Sequence, residues 1–197
     1  MLADSPPQRP FSSIPWTAAQ RRTMAAALDL IGVHGVSGTS LQMIADAVGV
    51  TKAAVYYQFK TKEEIVVAVT ASELAILEDG LIAAEAEPDL ARARKVLLDQ
   101  VIDLAVSRRR WVSTLTNDPV ITRILSQHEP FRQFLGRLYS VLLDERHGDD
   151  TLTRVSAAVL SAAIGGSVIN PLVTDIDDDT LRATLVHLTQ RMLDLPD

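Results

Sequence analysis

The sequence predicts an all-α protein of about nine helices, and three observations carry that expectation. Apolar residues recur at the i, i+3, i+4, i+7 spacing of one helix face along most of the chain. Sustained period-two alternation is missing, as is any repeat at solenoid spacing. Between the periodic runs stand the residues that start and stop helices: Ser, Thr and Asp before them, Gly and Pro after.

The 197 residues are 47% hydrophobic and 22% charged, with a formal charge of −6. That is enough apolar material for a real core and too much for a disordered acidic segment. No cysteine is present. Disulfide scaffolds, thiolate metal sites and cysteine nucleophiles are therefore excluded, and a reducing, cytoplasmic home is expected.

Residues 1–15 hold four of the nine prolines and no apolar run of signal-peptide length, so they read as a flexible leader with Arg9 as its basic residue. Met24, Ala27, Leu28 and Ile31 place a first helix. Leu41, Ile44, Ala45 and Val48 place a second, with Thr39 or Ser40 to cap it and Gly49 to end it. Thr51 caps a third that runs to Phe59. The turn Val48-Gly49-Val50 between them has helix-turn-helix spacing, and Gly49 supplies the left-handed conformation that a fast reversal needs. Leu41, Ile44, Val48, Val50, Val55 and Phe59 then share one core. Lys52, Ala53, Tyr56, Tyr57 and Gln58 are left facing outward.

A fourth helix is expected from Lys62 to about Glu85. A fifth, marked by Leu97, Val101 and Leu104, ends near Arg108 to Arg110, whose charge suits the negative end of a helix. Pro119 and Pro130 punctuate the middle and leave shorter helices around Trp111 and from Phe131 to Asp144. The last two run from about Asp150 to Ile169 and from Asp178 to Leu193, the latter capped by Asp177 to Asp179. Val155 to Thr174 carries no charge over a bilayer-length stretch. Its Ser, Gly, Asn and Pro content favours a buried interface helix over a membrane span.

Charge is uneven along the chain. Residues 1–62 hold six basic and three acidic side chains, and the rest hold thirteen and twenty-two. A basic head on an acidic body suits a polyanion contact at one end. An outward face of Lys, Tyr and Gln on a short helix can enter a DNA major groove roughly 12 Å wide and meet base edges and phosphates there.

The block Thr39-Ser40-Leu41, Ile44-Ala45, Gly49-Val50-Thr51, Val55-Tyr56, Phe59 and Lys62-Glu63-Glu64 resembles the tetracycline-repressor (TetR) family of transcriptional regulators over about residues 16–70. The resemblance implies a DNA-binding domain over 16–62 and a ligand-binding and dimerisation domain over 63–197. It implies that Thr39 and Ser40 touch phosphate, that Lys52, Ala53 and Tyr57 lie on bases, and that Tyr56 and Lys62 lie on the backbone. Gln58 would lie near phosphate or base, and Thr51 caps the same helix. The family usually has His at the Gln58 position and an aromatic residue near Val36.

In the body, Ala157-Ser161-Gly165 and Ala158-Ala162-Gly166 form small-residue rows that let helices approach closely, and Leu181, Leu185, Leu188 and Met192 offer an apolar stripe. These residues are either protomer core or a homodimer seam; the resemblance implies a four-helix seam between twins. Val101, Leu104, Trp111, Leu115, Phe131, Phe134 and Leu138 are candidates to line an apolar chamber, with Thr114 or Asn170 as polar anchors. By resemblance, the chamber takes a small, mostly apolar effector that releases the dimer from a palindromic double-stranded operator. His34, His128, His147 and His187 show no ligand spacing, and no catalytic motif is present, so no metal, cofactor or enzymatic activity is expected. The rival reading is an α-helical dimeric scaffold whose head has lost its DNA contacts.

Overall fold

Thr17 opens the first helix with a capping box: its hydroxyl accepts from the Gln20 N–H, and the Gln20 side chain accepts from the Thr17 N–H. The computed structural model describes residues 10–143 and 150–193; Arg9, His147 and the expected helix end at Asp144 lie outside them. Helix α1 (Ala18–Gly38) is broken by a kink at Gly35, whose φ of 68° and ψ of 171° suit glycine alone. Ser40 caps α2 (Leu41–Val48), and Gly49, at φ 77°, closes it by donating to the Ala45 and Asp46 carbonyls. Thr51 caps α3 (Lys52–Gln58). These are the expected helices and turn, with one change. Val50 does not join the core but stands exposed, because the left-handed Gly49 turns it outward.

Thr61 caps α4 (Lys62–Ala86) and Asp89 caps α5 (Leu90–Ser107). Then come α6 (Arg109–Asn117), α7 (Pro119–Gln127), α8 (Glu129–Leu143), α9 (Asp150–Val168), a short 3-10 turn (Pro171–Val173) and α10 (Asp178–Met192). Among the described residues that makes ten α-helices and no strand. The one beyond the expected nine is α7. Pro119 is its first residue rather than a stop, since Asp118 caps it and proline has no N–H to lose there. Pro130 likewise sits in the first turn of α8, which begins at Glu129 instead of Phe131.

The arginine triplet also needs correction. Arg108 ends α5, but Arg109 and Arg110 begin α6, against its dipole. Acidic partners on three other helices offset that: Arg108 pairs with Glu73 on α4 at 2.8 Å, Arg110 with Asp29 on α1 at 3.3 Å, and Arg109 with Asp178 on α10.

Two apolar clusters organise the chain. The head cluster joins Met24, Ala27, Ile31, Ile44, Ala45, Val55 and Phe59, but it does not stop at residue 62. Ile65, Val66 and Val69 of α4, Trp111 of α6, and Ile121 and Leu125 of α7 belong to it. The body cluster is built from α4, α5, α8, α9 and α10 around Leu81, Leu97, Ile102 and Phe134. The leader reaches into it as well. Residues 10–15 are anchored rather than flexible, with Phe11 buried in the body core.

Candidate nucleic-acid interface and effector chamber

Because Val55 and Phe59 are pinned in the head core, α3 has one orientation, and its opposite face carries Lys52, Ala53, Tyr56 and Tyr57 into solvent. Tyr57 is 85% exposed and Tyr56 52%. Large rings left this open are not fixed by core packing, and a phenol in such a position is able to donate to a phosphate oxygen. Lys60, absent from the sequence-level candidates, joins them: its Nζ lies 4.7 Å from the Tyr56 ring centroid and 5.7 Å from that of Tyr57. Ser40 and Thr51 sit exposed at the starts of α2 and α3. Each cap uses an oxygen lone pair, accepting from Met43 and Ala54 respectively, and leaves the O–H available to donate.

Three expected contact residues are turned to other work. Thr39 is buried, and its hydroxyl donates to the Gly35 carbonyl at 2.8 Å, across the α1 kink. Gln58 bridges helices: its Oε1 accepts from the buried Thr23 hydroxyl at 3.0 Å, and its Nε2 donates to the Ala54 carbonyl. Lys62 is half-buried and donates to the Val36 carbonyl at 2.7 Å, just past the kink. On the other side Asp118 accepts from the Val36 N–H at 2.7 Å. All three therefore shape the head beneath the exposed face.

Residues 24–69 match the family model for bacterial regulatory proteins of the tetR family, which spans the turn and the exposed helix just described. Over these residues the head is similar to the TetR family. A TetR-like transcriptional regulator from Rhodococcus sp. RHA1 superposes with a TM-score of 0.67 at 19% identity, over 92% of this chain and 98% of that one. NalD, the secondary repressor of the MexAB-OprM multidrug efflux pump in Pseudomonas aeruginosa, gives 0.63 at 22% identity, over 88% and 94%. FadR from Bacillus subtilis, solved in complex with stearoyl-CoA, gives 0.64 at 16%, over 85% and 96%. At such identities the likeness shows the fold alone, shared with these regulators over most of the chain. No curated protein matches this sequence.

In this TetR-type body a chamber of about 200 Å³ opens between α4, α5, α6, α8 and α9. Of the expected lining residues, Val101, Leu104, Trp111, Leu115 and Leu138 are there. Thr114 is not: its hydroxyl donates to the Arg110 carbonyl, on the side of α6 that faces Gly32 of α1. Phe131 packs where the two clusters meet, and Phe134 is sealed in the body core. Asn170 is exposed and caps the 3-10 turn. The polar groups that do line the chamber are the Glu73–Arg108 pair and the hydrogen-bonded Tyr139 and Ser161 hydroxyls. Sequence reasoning missed the α4 wall of Glu73, Leu74 and Leu77, because that helix is apolar on several faces and its period does not single one out. Among the described residues no group of His, Asp and Glu is placed to hold a metal.

The expected dimer residues divide. Leu181 and Leu185 are 3% and 5% exposed and belong to the protomer core, as do Leu160 and Ile164. A Cβ on Gly165 would meet Val112 and Thr116 of α6 at 3.7 Å, and Ser161, though exposed, hydrogen-bonds to Tyr139 of α8, so this end of the row Ala157-Ser161-Gly165 faces its own protomer. The other row looks out. Ala158 and Ala162 are exposed, nothing lies within 4 Å of a Cβ on Gly166, and Leu152, Val155 and Val159 flank them. On α10, Leu188 and Met192 are exposed. Thr151–Val168 has the length and mean hydropathy, 1.3, of a membrane span, yet Leu160, Ile164 and Val168 occupy the body core, and its remaining apolar face needs a cover.

Proposed function

We propose that the chain is a non-catalytic, cytoplasmic, dimeric transcriptional repressor, released from a near-palindromic operator when a small, mostly apolar molecule enters the chamber. Residues 16–62 read DNA and residues 63–197 dimerise and bind the effector. Ser40, Thr51, Lys52, Ala53, Tyr56, Tyr57 and Lys60 form the reading face, supported by Thr39, Gln58 and Lys62. The outward faces of α9 and α10 form the seam with the twin, placing two α3 helices on one side of the dimer.

The observation that carries this reading is the double position of Trp111. It lines the chamber and belongs to the head cluster, and its helix packs on α1 as well as on α9. An effector that displaces α6 therefore moves the head. To carry a population from 1:99 to 99:1, the effector must prefer the released state by about 5.5 kcal/mol. An apolar chamber of about 200 Å³ suits a short alkyl or small aromatic body, since an apolar cavity of about 150 Å³ already takes benzene. The similarly folded FadR is solved with stearoyl-CoA, whose acyl chain, though not its charged CoA part, belongs to the apolar class.

A gel-shift titration on DNA from the chain's own upstream region tests the reading. Several phosphate contacts per dimer predict roughly a 10³-fold loss of affinity between 50 and 200 mM salt. Salt-independent or undetectable binding would favour the scaffold reading instead. In a Trp16→Phe background, Trp111 emission should change with any compound that lowers DNA affinity, and an unchanged spectrum would remove Trp111 from the effector site.

A further inference from the structure

In the middle of α4, Glu78 is completely buried, and its carboxylate meets the N-terminal segment on one side and the charge of Arg137 on α8 on the other. The Phe11 N–H donates to both of its oxygens at 3.3 Å, the Ser12 N–H donates at 2.7 Å, and the Ser12 hydroxyl donates as well. Phe11 itself is buried edge-on against Phe134, with ring centroids 5.4 Å apart. A few residues later Trp16 packs on both apolar clusters, 6.5 Å from Phe59 of the head, and Thr17 opens α1. Residues 11–17 thus run from the body core directly to the reading head.

Granted the two-headed reading above, we propose that residues 11–16, clamped on Glu78, form a tether that fixes the angle of the head on the body and so the spacing of the two reading helices. A buried carboxylate that loses its donors is strongly disfavoured, so the segment and Glu78 hold each other. At its far end α1 is gripped separately, where Asp118 and Lys62 hold Val36. With both grips closed the head has one orientation. With the tether open, the Val36 grip remains as a pivot. With the tether closed, effector-driven movement of α6 acts on a head restrained at two points, and Glu78 is a positioning residue for DNA binding without touching DNA.

The test uses full-length Glu78→Gln, Phe11→Leu and the milder Ser12→Ala, each compared with wild type on a full palindromic site and on a half-site. If the tether sets spacing, full-site affinity falls about tenfold or more, because bivalent binding depends on geometry, while half-site affinity stays within about twofold, because each head keeps its own contacts. A second readout needs no DNA. The chain has no cysteine, so a single nitroxide on Val33→Cys, 70% exposed on α1, reports the head-to-head distance distribution. It should broaden in the variants. Equal losses on both sites, or no loss on either, with an unchanged distance distribution overturn the tether. If wild type binds no DNA, the repressor reading fails by itself and the distance distribution still decides the tether. Should Glu78→Gln fail to fold, Ser12→Ala, which removes one hydroxyl at the segment's exposed edge, carries both readouts.

Discussion

Lys52 and Lys62 are both cations near the reading helix, yet their surroundings give them different work. Lys52 stands exposed in the first turn of α3, and in the proposed reading its ammonium meets the O6 or N7 of a guanine. Lys52→Ala should relax preference at one base position in each half-site by about 1–3 kcal/mol, measured by competition binding with single-base operator variants. Lys62 is committed to the Val36 carbonyl. Lys62→Ala should lower folding stability by about 1 kcal/mol, less than a fully buried charged hydrogen bond, and leave the salt slope of DNA binding unchanged. Denaturant titration and a salt series check the two halves. A salt slope shallower by about one unit would return Lys62 to the phosphate backbone. Gln58 follows the same logic. A neutral amide can accept from Thr23 and donate to Ala54 at once, which a protonated imidazole at this position cannot, having no acceptor.

At the scale of the element, two glycines with positive φ among the described residues separate backbone strain from packing. Gly49 at φ 77° has nothing within 4 Å of an added Cβ, so Gly49→Ala should cost only the left-handed penalty of about 1–2 kcal/mol. Gly35 adopts a conformation other residues avoid, and a Cβ there would meet the Asp118 carboxylate at 3.2 Å. Gly35→Ala should therefore cost more, about 2–3 kcal/mol or above, and should loosen the grip of Asp118 on Val36. Thermal melts of the two variants give the order. The start of α10 makes a prediction about pH. Asp177 accepts from the Thr180 backbone N–H, then from the Thr180 hydroxyl and the Asp179 N–H, and its carboxyl is held below the ordinary carboxylate range. A folded-state pKa below the unfolded one means that this cap contributes above the ordinary carboxylate pKa and fades as pH falls through the depressed value. Protection of the Asp179 and Thr180 amides, taken relative to their intrinsic exchange rates, should fall in that acid window, and Asp177→Ala should show the same low protection at neutral pH.

For the whole molecule, the proposed dimer has to bring two heads to one face. The outward stripe of α9 carries exposed apolar residues that the protomer does not cover, and a charge placed there harms the seam without entering the core. Val159 is 49% exposed. Val159→Arg should leave the melting temperature of the protomer nearly unchanged, convert the dimer to monomer in sedimentation, and remove bivalent DNA binding. Leu185→Arg, in the same pair of helices but buried, should instead prevent folding. A Val159→Arg protein that remained dimeric would move the seam elsewhere.

Most of the helices, the caps at Ser40, Thr51 and Asp177 and the reversal at Gly49 were legible in the sequence, because caps, periodicity and left-handed turns act over a few residues. The missed helix, α7, is an exception of the same kind: Asp118-Pro119 is a local start signal that was read as a break. What a helix face meets is a different matter. Leu181 and Leu185 look like seam residues until α5 and α9 cover them, and Thr39, Gln58 and Lys62 look like DNA contacts until α1 arrives beside them. The anchored leader depends on a hydrogen bond across 67 positions. Amphipathic patterning states that a face is apolar or polar, whereas the partner that satisfies it is chosen by packing between segments far apart in the chain, and only the tertiary structure decides that.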